Sequence, residues 1–185
     1  MVKIGRRIVV YGPPSTGKTT VAAHLARRIG VPHIELDAVF WLPQWNQKSV
    51  EEFRADVSTL LIECTDGRVF DGNYSQARDL ILPLADTVVW LRPPFLVAFW
   101  RLLKRTVTRS WKHEPLWGTN YESWRLSFLS RDSLLLYQMN HWRRHHERTR
   151  RALEEIPHRA SVVELRSVRA IEEFLVSPGL TDDIE

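Results

Sequence analysis

Three observations predict a three-layer α/β fold, with a mostly parallel sheet covered by helices on both faces. Short apolar, β-branched runs alternate with stretches of helical periodicity along the 185 residues. A glycine-rich loop from Gly12 to Thr19 sits directly between the first such run and the first helix. Polar residues capable of chemistry gather just beyond the strands, where open sheets of this kind bind ligands.

The elements follow in order. Arg6–Tyr11, with its "RIVVY", is a continuous apolar run suited to a central parallel strand. A helix runs from about Lys18 to Arg28, with Val21, Ala22, Leu25 and Ile29 on one face and Gly30 in the usual stop position. "HIEL" is a short second strand ending near Asp37. Ser49 and Glu52 form a capping box for the helix "SVEEFRADVSTLLIE". "RVFDGN" is the third strand; "DTVVWLR" is the fourth, stopped by Pro93–Pro94. The helix "FLVAFWRLLKRTVTR" comes next. Ser110 to Tyr121 is polar, aromatic and glycine-containing, so an irregular insertion is expected there. From Glu122 to Glu155 the pattern is mostly helical, with a break near Ser130. "ASVVELR" is a fifth strand and "SVRAIEEFLV" a last helix. The expected organisation is one domain over residues 1–185, with residues of about 109–131 as a lid or insertion within it.

Composition narrows the setting. The formal charge is +4, with basic clusters at "RLLKRTVTR" and "HWRRHHERTRR". Such basicity suits either nucleic acid or the polyphosphate of a small nucleotide. The single cysteine, Cys64, excludes an intrachain disulfide and reads as a small core hydrophobe. No apolar stretch approaches membrane-spanning length, and "MVKIGRR" leads into a strand, so a cytoplasmic protein is expected.

"GPPSTGKT" fits G-x-x-x-x-G-K-S/T in full. Gly12, Pro13, Pro14, Ser15, Thr16, Gly17, Lys18, Thr19 and Thr20 are therefore the expected nucleotide-binding set. Backbone N–H groups from Ser15 to Thr19 should face a polyphosphate at a helix N-terminus. Gly12 is expected to need a conformation closed to other residues. Lys18 is placed for the β and γ phosphates of ATP, and Thr19 for Mg²⁺. Thr20 supports packing or an α-phosphate contact.

Two carboxylates one residue apart, Glu35 and Asp37, are expected to point the same way from an extended strand end. There they can hold metal-bound water, orient a hydroxyl or take its proton; Asp37 can otherwise cap the next segment. Beyond the third strand lies "DGNYSQAR". Asp71 is read as a water-mediated Mg²⁺ contact, which makes Thr19, Glu35 and Asp71 the metal set. Gly72, Asn73, Tyr74 and Arg78 are read as acceptor contacts, with Phe40, Trp41 and Trp45 either lining the acceptor pocket or belonging to the core. Arg101, Arg105 and Arg109 share one helix face, and Arg125 and Arg131 follow the insertion. Phosphoryl transfer spreads charge over three equatorial oxygens, which arginines stabilise. The expected catalytic set is Lys18, Asp37, Arg105, Arg109, Arg125 and Arg131. No N-K-x-D string supports a regulatory GTPase, and the fourth strand lacks the acidic end of a large remodelling ATPase.

With these residues in hand, the sequence resembles the adenylate kinase and shikimate kinase group of small P-loop kinases. It is most similar to adenylate-kinase-like proteins labelled "DNA topology modulation protein", through "GPPSTGKTT", "PHIELDAVFW", "VFDGNYSQARDLILPLADTVVWLRPP" and "RLLKRT". The resemblance implies a five-stranded parallel sheet of order 2-3-1-4-5 with a helical lid after the fourth strand. It implies ATP as donor with Mg²⁺, acceptor chemistry near Asp37, and an adenine flanked by Arg166, Ser167 and Val168. "DGNYSQAR" departs from the adenylate kinase pattern by lacking its proline and immediate arginine. The leading expectation is a kinase of a small-molecule acceptor, nucleoside-like, nucleotide-like or a small metabolite, acting as monomer or homodimer without specific nucleic acid. The other is a nucleic-acid-associated ATPase or regulatory nucleotide binder, resting on the basic balance.

Overall fold

The computed structural model describes residues 4–112, 115–116, 120–121, 134–154 and 160–177. Strand β1 (Arg7–Tyr11) leads to helix α1 (Lys18–Ile29), strand β2 (His33–Glu35), helix α2 (Leu36–Phe40) and helix α3 (Val50–Glu63). Strand β3 (Arg68–Asp71), strand β4 (Thr87–Leu91), helix α4 (Phe95–Lys112), helix α5 (Leu134–Glu154), strand β5 (Ser161–Leu165) and helix α6 (Val168–Val176) follow. The strands form one parallel sheet in the order β2-β3-β1-β4-β5, as the resemblance to small P-loop kinases implied. Among the described residues, no helix is long and apolar enough to cross a membrane.

The pleat divides the core in two. Ile8 and Val10 of β1 pack on one face with Val21, Leu25 and Ile29 of α1 and with Ile171 and Phe174 of α6. Val9 and Tyr11 point the other way, towards Phe53 and Val57 of α3 and Ala152 of α5. A side chain such as Phe53, with 0% exposure, contributes about 1.5–3 kcal/mol through burial. This two-sided burial explains why the strands read as unbroken apolar runs.

Register builds the site. Pairing of β1 with β3 sets Val10 beside Asp71, and pairing of β2 with β3 sets Glu35 beside Asp71. The carboxyl ends of three strands therefore finish together, next to the loop that follows β1.

Several expectations need correction. β2 ends at Glu35, and Asp37 lies in the first turn of α2 rather than on an extended end. Leu36 and Phe40, four residues apart, are both buried, and burying that pair on one face favours a helical turn. The insertion is not wholly irregular: Pro115–Leu116 pairs antiparallel with Asn120–Tyr121. Helix α4 runs on to Lys112, past the expected stop at Arg109. Arg125, Arg131 and the expected break near Ser130 lie outside the described residues.

The capping box at α3 is present. Ser49 Oγ accepts from the Glu52 amide at 3.1 Å, and the Ser49 amide donates to Glu52 Oε2 at 3.0 Å. Ser49→Ala is expected to cost about 1 kcal/mol of folding stability, read as a lower urea midpoint with an unchanged slope.

Candidate active site

The glycine-rich loop is braced by its own residues and by β3. Gly17 has φ +98° and Ser15 φ +58°. A left-handed serine is the sort of strain that collects at ligand clamps. Thr16 is buried, and its hydroxyl donates to the Pro13 carbonyl at 2.8 Å. Lys18 Nζ donates to the same carbonyl at 3.1 Å. Asn73 brackets Gly12: it accepts from the Gly12 amide at 3.2 Å and donates to the Gly12 carbonyl at 2.6 Å. Gly12 is required for space, not for an unusual φ. A Cβ there would meet Thr16 Oγ1 at 2.7 Å and the Leu91 carbonyl at 2.9 Å. At Gly72 a Cβ would meet that of Leu36 at 2.9 Å.

A cleft of about 1010 Å³ opens beside this loop. Lys18, Thr19 and Thr20 line it from α1, Glu35 from β2, and Asp37 and Trp41 from α2 and its end. Gly72, Asn73, Tyr74 and Arg78 come from the segment after β3. Arg101, Arg105 and Arg109 face it from α4, as their spacing suggested. His145, Arg148 and Thr149 close it from α5, and Trp45 lies at its aromatic edge.

Opposite charges meet inside. Asp71 is 3% exposed, and its Oδ2 accepts from Thr19 Oγ1 at 2.5 Å. Its Oδ1 is buried without a hydrogen-bond partner. Burial pulls the Lys18 ammonium below its ordinary pKa; Asp71, Asp37 and Glu35 oppose that, while Arg105 adds to it. Tyr74 donates its hydroxyl to Asp37 Oδ1 at 2.6 Å. Burial, then the charge of Asp37, push the Tyr74 phenol far up, so it stays a donor. Arg78 lies against the hydroxyl of Tyr11, whose pKa burial raises. Trp41 meets Trp45 edge-on with ring centres 5.5 Å apart. Phe40 instead belongs to the core and does not line the cleft.

Other expected residues sit elsewhere. Arg166 pairs with Glu164 at 2.7 Å, and Ser167 Oγ accepts from the Ala170 amide at 3.0 Å, capping α6. Arg166, Ser167 and Val168 are not among the cleft-lining residues. Conversely, Arg148 and Thr149 were not singled out from sequence, and His145 was noted there only as sharing a helix face with His141. The four-residue step from His141 to His145 to Thr149 marks one helix face, but spacing alone does not say what that face meets. Gln138 adds to the contact by donating to the Pro14 carbonyl at 3.4 Å.

Two neighbouring histidines on α5 are held neutral. His145 is pushed down to about 4, by burial and then by the charges of Lys18 and Arg148. His146 packs on Trp142 with ring centres 4.9 Å apart and is pushed down to about 4, by burial and then by Arg92. The unfolded chain takes up these protons near pH 6.5 and the folded chain only near 4. Their contribution to stability is therefore intact above about pH 6.5 and lost as pH falls towards 4. Urea titrations across that window should show wild-type stability falling more steeply than that of a His145→Gln, His146→Gln double variant.

Comparison with known proteins agrees with this fold. A family model described as an AAA domain matches residues 7–69. A stretch of 34 residues is 53% identical to an adenylate kinase of Streptomyces scabiei, covering 18% of this chain and 49% of that protein. An adenylate kinase of Streptomyces griseus is 50% identical over 34 residues, covering 18% of this chain and 94% of that sequence. The chain thus spans about half the length of the first of these relatives. Among solved structures, a gluconokinase from Sinorhizobium meliloti superposes with TM-score 0.54 at 20% identity, over 97% of this chain and 93% of that one. A sugar kinase from Janibacter gives 0.53 at 18% identity, over 96% and 98%. A shikimate kinase from Bacteroides thetaiotaomicron gives 0.50 at 19%, over 91% and 93%. These structural likenesses concern the fold.

Proposed function

The chain belongs to the P-loop kinase superfamily, and from that premise we propose an ATP-dependent phosphotransferase that moves a γ-phosphoryl group to a small acceptor. One observation supports this reading most: the Walker A loop and Asp37 line a single cleft, together with arginines from two helices. A simple nucleotide-binding module has no need of a hydrogen-bonded carboxylate opposite its phosphate loop.

On this reading the loop amides and Lys18 hold the polyphosphate, and Arg101, Arg105, Arg109 and Arg148 gather charge that spreads during transfer. Asp71 fits a hard cation: its Oδ1 is buried and unpartnered, and its Oδ2 bonds the Thr19 hydroxyl. Thr19 and Asp71, with Glu35 nearby, would hold Mg²⁺, which supplies neutralisation of phosphate charge. Tyr74 occupies one oxygen of Asp37 and leaves the other for the acceptor. The acceptor oxygen then forms a bond to phosphorus as the bond to the β,γ-bridging oxygen breaks. ADP leaves, and a hydroxyl acceptor's proton passes to Asp37. Arg78 suits a negative group on the acceptor, and Trp41 with Trp45 offers it an apolar aromatic wall. A nucleoside-like or nucleotide-like compound and a small hydroxylated metabolite both meet that description.

The finer likeness to proteins labelled "DNA topology modulation protein" is supported by "LDAVFW" and "DGNYS" and stays part of the proposal. Use of ATP and a free acceptor fits a cytoplasmic enzyme working as monomer or homodimer.

The deciding experiment measures phosphoryl transfer from ATP across nucleosides, nucleotides, sugars and small hydroxy acids. Lys18→Met is expected to abolish turnover with the fold intact by circular dichroism. Asp37→Asn is expected to cut transfer by about 10²–10⁴-fold while MgATP affinity holds. Equal loss of transfer and ATP affinity in Asp37→Asn would remove its assigned role. Absence of transfer to every class would reject the reading.

A further inference from the structure

Asn120 lies outside the phosphate chemistry, on the short strand Asn120–Tyr121. Its side chain is polar, yet the residue is only 1% exposed. A buried amide is unfavourable unless its hydrogen bonds are made. Here Oδ1 accepts from the Trp45 amide at 2.8 Å, and Nδ2 donates to the Leu42 carbonyl at 3.2 Å. One side chain thus grips both ends of the turn Pro43–Trp45.

That turn needs gripping. Gln44 has φ +60° and Trp45 φ +59°. Left-handed backbone is unfavourable for residues with a Cβ, and bulky ones rarely adopt it. Two in succession persist only where surrounding contacts over-determine them. Trp45 is also the residue that lines the cleft beside Trp41. Backbone conformation at Trp45 therefore decides where the indole stands.

We infer that Asn120 is a positioning residue for the acceptor side of the cleft: its amide locks Gln44 and Trp45 in the left-handed conformation and so fixes the aromatic wall that an acceptor meets. The kinetic consequence rests on the phosphotransferase reading; the placement of the indole does not.

Fluorine NMR on protein grown with fluorotryptophan tests this. Trp41, Trp45 and Trp90 are assigned by single replacement with Phe. Asn120→Ala should shift or broaden the Trp45 and Trp41 resonances and leave that of Trp90, buried in the sheet, in place. Adding Gln44→Gly should return the Trp45 resonance towards its original position, because glycine takes the left-handed conformation without strain. Asn120→Asp keeps an oxygen for the Trp45 amide and should shift it less; it serves as the test if Asn120→Ala does not fold. With the acceptor found by the transfer screen, Asn120→Ala should raise its KM about tenfold, the scale of one lost buried hydrogen bond. The KM for MgATP should hold, and Gln44→Gly should recover part of the loss. An unmoved Trp45 resonance in a folded Asn120→Ala protein overturns the inference, as does an equal rise of both KM values. A moved resonance, in a protein that transfers to no acceptor, upholds the positioning and rejects the phosphotransferase reading.

Discussion

The bond from Thr19 Oγ1 to the buried Asp71 carboxylate is the contact on which the cleft depends. A carboxylate with 3% exposure is costly to bury unless it is bonded and faces opposite charge. Thr19 supplies the bond, and among the charges acting on Lys18 that of Asp71 is the largest. The segment Asp71–Tyr74 then repeats this tie twice. Asn73 secures Gly12 at the start of the loop, and Tyr74 secures Asp37 across the cleft. Four consecutive residues thereby set the phosphate loop, the start of α1 and the candidate reacting carboxylate in one frame. Strand register makes this possible, since β1 and β2 both end against β3 at Asp71.

Charge balance in the cleft suits the proposed anionic ligand. In the folded chain the charge of Arg105 disfavours the protonated form of Lys18, and that of Lys18 disfavours the protonated form of His145. Their crowding is tolerated because Asp71, Asp37 and Glu35 stand opposite and because His145 stays neutral. A polyphosphate entering between these groups would exchange mutual repulsion for attraction in a confined, partly desolvated space. Helix α5 belongs to this arrangement. His145, Arg148 and Thr149 face the cleft, and Gln138 touches the loop at Pro14.

What the sequence made legible was local. The phosphate loop, the capping box at Ser49 and the five strands are each written within a few residues, and the sheet order came from resemblance to known kinases. The three arginines of α4 were legible because helical spacing fixes a common face. What stayed hidden depends on contacts distant in sequence. Three residues of strand did not tell Asp37's helical turn from an extended end, because the burial of Leu36 with Phe40 decides it. The two bonds from the Asn73 amide group to Gly12 gave no signal in sequence. The pairing of the Arg166 guanidinium with Glu164 was likewise not legible from sequence. Asn120 gave no signal, since only the fold brings it to Trp45.

The same reasoning links stability to chemistry through Tyr74. Its ring packs 5.0 Å from Phe53 and 4.9 Å from Phe40, centre to centre, so the core beneath α3 extends up to the hydroxyl that holds Asp37. Burial keeps that hydroxyl protonated, which makes it a dependable donor across the physiological range. Phosphoryl transfer through a loose transition state asks little covalent work of the protein and much positioning. An aromatic core that fixes the rotation of one carboxylate meets that demand directly. Loosening the packing around Phe53 or Phe40 would therefore disturb the position of Asp37 before it unfolded the chain, because Tyr74 transmits a small shift in the core to the carboxylate that faces the phosphate loop.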